Sequence, residues 1–196
     1  MDYFHTEAFP DPPEHEEGQG GILRMLVDVF QTILLSLILF LAINAISARI
    51  RVDGFSMEPT LFSGEYVIVN KLSYKLDDPS YGDIVVFHFP RNPQQEYIKR
   101  IIGLPGDEIR IQSGEVAVNG NVLEESYIKA DPSYSGTWTV PDGSLFVLGD
   151  NRNNSSDSHN WGWVPFEFVI GKAVFVYWPP TEWGTIEEPM DAFAAP

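Results

Sequence analysis

The chain contains no cysteine, which removes a disulfide framework, a zinc–thiolate centre and a thiol nucleophile from consideration. Histidine is scarce as well. His5, His15, His88 and His159 are the four copies, with no pair at i,i+3 or i,i+4, so neither a metal site nor a cofactor is expected. Positive charge is the third shortage: 12 Lys and Arg stand against 28 Asp and Glu, a net charge of −16. Neutralising phosphates needs clustered basic residues, which speaks against a nucleic-acid partner. A glycine-rich phosphate loop, an internal repeat and a strand–helix–strand alternation are also missing.

The acidic charge is unevenly placed. Residues 1–20 carry six acids (Asp2, Glu7, Asp11, Glu14, Glu16, Glu17) and no base, and residues 181–196 carry four (Glu182, Glu187, Glu188, Asp191). The tails 1–22 and 181–196 therefore read as solvated, disordered ends. Val29–Ala48 runs for 20 residues without a charge, enough for a helix to cross the roughly 30 Å hydrocarbon layer. With its flanks, the span is placed at 23–48. A secretory signal peptide is the competing reading, since Ala45-Ile46-Ser47 looks like a small-x-small cleavage site. The apolar stretch is longer than a usual signal core and its leader is acidic, which favours a retained anchor in a lipid bilayer. Only Arg24 precedes the span while Arg49 and Arg51 follow it, so the positive-inside rule leans toward a cytoplasmic C-terminal part.

Beyond the span the chain reads as β. Glu65–Lys71, Asp83–Phe89, Glu96–Gly103, Asp107–Gln112, Glu115–Val118, Thr137–Val140, Leu145–Leu148 and Lys172–Trp178 are short and rich in Val, Ile, Tyr and Phe. Ser113-Gly114 and Asn119-Gly120 mark hairpin turns, and Glu124–Gly136 is the longest loop. The expected fold class is mainly β, an antiparallel barrel-like domain over 49–180 behind one transmembrane helix.

Three segments exceed what strands and turns demand: Gly54–Leu61, Tyr97–Asp107 and Gly149–Ser158. Each has an ordinary explanation by itself. Ser56 suits a helix N-cap, Lys99 a solvent-facing strand position, and Gly149–Ser158 any polar loop. Together they resemble one family, the type I signal peptidases. The resemblance covers residues 25–178 and rests on Ser56-Met57-x-Pro59-Thr60-Leu61, Gly82-Asp83-Ile84-Val85-Val86-Phe87, Tyr97-Ile98-Lys99-Arg100 through Gly103-x-Pro105-Gly106-Asp107, and Gly149-Asp150-Asn151-Arg152-x-x-Ser155-x-Asp157-Ser158.

The resemblance implies a membrane-bound serine endopeptidase that removes signal peptides from exported preproteins after small residues, with Ser56 as nucleophile and Lys99 as general base. It further implies that Ser155 orients the lysine. Asp157 supports the same loop by pairing with Arg152 or with His159, where many relatives have arginine. The Ser56 backbone N–H serves the oxyanion, while Gly54 stands where some relatives add a serine hydroxyl. Val52, Ile84, Tyr97 and Ile98 are expected to line the substrate pockets. Substrates emerge outside the plasma membrane, so the resemblance places the β domain extracytoplasmically, against the two arginines after the span. A related Ser/Lys peptidase with another substrate, and a peptide-binding module without activity, are the alternatives.

The chemistry is coherent on its own terms. A serine hydroxyl needs a base, and a lysine with a free pKa of ~10.4 leaves only about one molecule in 2,500 neutral at pH 7. Its pKa must therefore be lowered by burial, and Ile98, Ile101 and Ile102 are apolar neighbours. Strand alternation puts Lys99 and Tyr97 on one face and predicts that Arg100 points outward.

Overall fold

The computed structural model describes residues 19–186, in two units that divide after Ile43. The first is dominated by a single long helix, α1 (Gln19–Ile46). The most apolar 18-residue window within Gly21–Ile46 has a mean hydropathy of 2.4. The whole helix is about 42 Å long, sufficient to cross a bilayer. Its hydroxyls are satisfied locally, Thr32 and Ser36 donating to the carbonyls four residues back at 2.8 Å. The helix begins at Gln19 rather than 23 and stops at Ile46 rather than Ala48. Residues 1–18, most of the expected acidic N-terminal tail, and residues 187–196 of the C-terminal tail lie outside the described residues.

The second unit is antiparallel β. In chain order it contains β1 (Ser47–Arg51), β2 (Tyr66–Asn70), a short helix α2 (Ser73–Leu76), β3 (Ile84–Phe89), β4 (Asn92–Gly103), β5 (Glu108–Gln112), β6 (Glu115–Val118) and β7 (Asn121–Val122). These are followed by β8 (Gly136–Thr139), β9 (Ser144–Leu148), α3 (Ser158–Trp161), β10 (Val164–Pro165), β11 (Val169–Trp178) and β12 (Gly184–Thr185). Eight strands form a sheet in the order β1-β2-β11-β3-β4-β9-β10, with β12 on β11; four form a second sheet, β7-β6-β5-β8. Strand β12 lies in a segment expected to be tail. The two hairpin signals hold: Ser113-Gly114 and Asn119-Gly120 all have positive φ, the geometry that matches the twist of two flanking strands.

Alternation builds the core. Strands β2 and β5 bury every second residue, so one face of each is apolar. Val52, Met57, Leu61, Val67, Val69, Ile84, Val86, Ile98, Ala173 and Val176 make one cluster. A second, around Ile109, Ile111, Phe146 and Leu148, sits under the smaller sheet. Gly103 packs against the second, where a Cβ would press on Ile109 and Val140.

Strand β4 organises the site. One edge pairs with β3 from Asn92 to Arg100. The other pairs with β9 only at Arg100, Ile101 and Gly103. Among the described residues, the stretch before Arg100 therefore keeps one edge free of a partner strand, and β1 is likewise an edge strand.

Candidate active site

Ser56 sits on a turn between β1 and β2. The base of this loop is closed by Val52 N–H to the Glu65 carbonyl at 2.8 Å and Gly64 N–H to the Val52 carbonyl at 2.9 Å. Met57 and Leu61, on either side of Pro59, are buried in the core and pin the turn. Gly54 enters it at φ +97°, a left-handed conformation that costs glycine nothing.

Lys99 comes from β4 and is 4% exposed. Its Nζ lies 2.8 Å from Ser56 Oγ and 2.8 Å from the Ile98 carbonyl. The Tyr97 ring, on the same strand face, stands 5.3 Å from the amine. Burial pushes the Lys99 pKa down to about 8, with Asp157 and Asp150 pulling weakly the other way. A buried ammonium loses its hydration, and no carboxylate touches it to compensate among the described contacts.

Arg100 does not point outward. It is fully buried, because β4 is covered on both faces at this level and the guanidinium finds a complete set of acceptors. Its Nε and Nη2 donate to Asp150 at 2.8 and 2.6 Å, its Nη1 to the Gly82 carbonyl at 2.8 Å, and Nη2 also to Thr60 Oγ1 at 3.3 Å. Thr60 in turn donates to Asp150 at 2.5 Å.

The segment Gly149–Ser158 wraps the turn that carries Ser56. Asn151 N–H donates to the Ser56 carbonyl at 3.0 Å and its side-chain amide donates to the Phe55 carbonyl at 3.0 Å. Gly149 must be glycine, since a Cβ there would collide with the Ser56 carbonyl and Ser155 Oγ. Ser155 thus lies beside Ser56, but its buried hydroxyl makes no hydrogen bond to Lys99 or to any other described group. The Ile98 carbonyl holds the amine instead.

Asp157 is fully buried, accepts from Gly149 N–H at 3.0 Å and caps α3 through His159 N–H at 3.3 Å. Its side-chain partner is His159, with Nδ1 2.6 Å from the carboxylate, and the imidazole stacks on Tyr134 at 3.8 Å. Arg152 is not that partner. It donates from Nε to the Gly149 carbonyl at 3.1 Å and makes a bidentate pair with Glu125 at 2.5 and 2.6 Å.

A cleft of about 460 Å³ opens over Ser56 and Lys99, lined also by Ile50, Val86, Tyr97 and Ile98. Val52 and Ile84, expected to line pockets, are instead core residues. Val86 and Ile98 belong to the same core cluster yet also border the cleft; Ile84 shares the strand face of Val86, so alternation by itself does not separate the two. Sequence reasoning missed Asn151, Thr60 and Glu125.

Known proteins resemble this chain in sequence. The model of the family "Signal peptidase, peptidase S26" matches residues 24–178. A probable signal peptidase I-2 of Synechocystis sp. is 44% identical over 169 residues, covering 83% of this chain and 78% of that protein. A signal peptidase I of Leptolyngbya laminosa is 44% identical over 173 residues, covering 84% and 85%. A chloroplastic thylakoidal processing peptidase 1 of Arabidopsis thaliana is 37% identical over 191 residues, covering 88% and 55%. The chain therefore belongs to the signal peptidases of peptidase family S26, hydrolases that act on preproteins bearing signal peptides.

Proposed function

We propose that the protein is a membrane-anchored serine endopeptidase that cuts preproteins after small residues, at sites of the Ala-x-Ala type, with a Ser56–Lys99 dyad. The observation that carries this reading is the 2.8 Å approach of Lys99 Nζ to Ser56 Oγ in a buried setting. When the amine is neutral, its lone pair takes the Ser56 proton along that line while one N–H stays on the Ile98 carbonyl. The alkoxide attacks the scissile carbonyl, and the Ser56 backbone N–H donates to the oxyanion. The Lys99 ammonium then hands the proton to the leaving amine, and water, deprotonated by the same lysine, hydrolyses the acyl-enzyme. Ser155, whose buried hydroxyl has no hydrogen-bond partner among the described residues, is assigned to receive a further N–H of the amine during this cycle. Asp157, with His159, holds the loop that carries Ser155. A serine at position 54 would meet open space but a left-handed backbone, so the second oxyanion donor lies elsewhere.

Substrate fits the two free strand edges. An extended segment laid between β1 and the early part of β4 pairs its backbone with the protein and drops alternate side chains into the cleft. Ile50, Tyr97 and Ile98 leave shallow space there, which favours small side chains. The apolar helix serves as a bilayer anchor, and the β domain faces the outer or lumenal side where preproteins emerge. The membrane is the plasma membrane or, as the name of the Arabidopsis relative suggests, a thylakoid.

The test uses purified full-length protein in detergent and a preprotein with an Ala-x-Ala site, beside S56A and K99M. Cleavage should fall by at least about a thousandfold in each variant. Undiminished cleavage by either one defeats the dyad.

A further inference from the structure

The stretch Leu123–Ser135 has no regular helix or strand, yet its side chains are tied at successive points to the segments that build the site. Glu125 holds Arg152 in the bidentate pair, and Tyr127 Oη donates to Glu125 at 2.8 Å. The Tyr127 ring stacks 4.2 Å from the Arg100 guanidinium and stands 5.9 Å from that of Arg152. Lys129 N–H donates to the Asp150 carbonyl at 3.2 Å, and its ammonium pairs with Glu58 at 2.7 Å. Asn153 receives Ser133 and donates to the Asp131 carbonyl.

The two guanidinium groups beside Tyr127 belong to different halves of the site. Arg100 is the residue after Lys99 on β4. Arg152 holds the Gly149 carbonyl, on the loop whose Asn151 grips the Ser56 carbonyl. We propose that Glu125 and Tyr127 are positioning residues of the dyad, joining the half that carries the lysine to the half that carries the serine.

Two cations this close to each other repel, and neither has solvent to screen it. Asp150 neutralises one and Glu125 the other, and the Tyr127 ring lies within 4.2 Å of the Arg100 guanidinium and 5.9 Å of that of Arg152, close enough to attract both. Burial lowers the Arg152 pKa, but Glu125 outweighs it and the guanidinium stays charged. Removing the ring or the carboxylate leaves the charges in place and takes away what sets their spacing. The 2.8 Å line between amine and hydroxyl then loosens, and small displacements of reacting groups are costly in turnover.

This inference rests on the serine–lysine reading above. The experiment measures kcat and KM on a signal-peptide substrate for full-length E125Q, Y127L and E125D, with E124Q, at an exposed neighbouring position, as control. Y127L and E125Q should lose about 10- to 100-fold in kcat with KM within about twofold. E125D, which keeps the charge and both oxygens, should recover most of the loss of E125Q. Circular dichroism at the assay temperature establishes folding; should Y127L melt below it, the E125Q–E125D pair decides. Unchanged kcat in the folded variants, a rise in KM alone, or equal loss in E125D and E125Q overturns the proposal. S56A run alongside separates the two readings. If S56A is inactive while E125Q and Y127L turn over normally, only the positioning role falls; if S56A is active, the dyad itself falls.

Discussion

Lys99 and Arg100 are neighbours on one strand, both cationic in water and both buried, yet the fold treats them in opposite ways. Arg100 receives a bidentate carboxylate, a threonine hydroxyl and a backbone carbonyl, and remains a cation. Lys99 receives one carbonyl and one hydroxyl, with the nearest carboxylates acting only at a distance. Desolvation without compensation turns a cation into a base, whereas desolvation with a full partner set makes a fixed structural charge. The pair shows that burial alone does not define a catalytic lysine; the missing counter-ion does.

Breaking the compensated side should have the largest effect on stability. D150N leaves Arg100 buried without its partner and should destabilise the β domain by about 3–5 kcal/mol. Chemical denaturation in detergent measures this, and a loss below about 1 kcal/mol would mean that water or another acid replaces Asp150.

The uncompensated side should respond in the reverse sense. Lowering the Lys99 pKa to about 8 from its ordinary 10.5 corresponds to roughly 3 kcal/mol. The unfolded chain binds the proton more tightly than the folded one, so stability contributed by this residue rises with pH between about 8 and 10.5 and is at its lowest below 8. K99M, apolar and of similar length, should therefore raise stability at pH 7 by about 2 kcal/mol while abolishing turnover. A variant less stable than the parent at pH 7 would show that the amine contributes more through its hydrogen bonds than it costs by burial.

The smallest effect, per unit of the variable, is on the rate. Only the neutral amine accepts the serine proton, so kcat/KM should fall about tenfold for each pH unit below the Lys99 pKa of about 8. A profile flat from pH 8 to 6 would exclude Lys99 as the base with that pKa.

Much of this was legible in the chain. Richness in Val, Ile and aromatic residues marked eight of the strands, because β-branched and ring side chains pack well on a pleated surface; in β2 and β5 a period of two shows as well. The twin Ser-Gly and Asn-Gly turns were legible because their positive φ values restrict which residues serve. The outward placement of Arg100 was wrong for a related reason: alternation separates two faces but does not say whether the second is wet. Val52 and Ile84 were misplaced because an apolar residue looks the same in sequence whether it lines a cleft or fills the core behind it.

The sequence by itself determined the local vocabulary: an apolar helix, the strand set, and a serine and a lysine 43 positions apart in motifs with an ordered partner segment. Tertiary structure alone decided the partner lists. Which acid faces Arg152, that His159 and not Arg152 pairs with Asp157, and that the Ile98 carbonyl takes the lysine amine all depend on through-space distance. Electrostatic and hydrogen-bond energies fall off over a few ångströms. Residues 27 or 50 apart in sequence, such as Glu125 with Arg152 or Arg100 with Asp150, become each other's environment only once the sheets have closed around them.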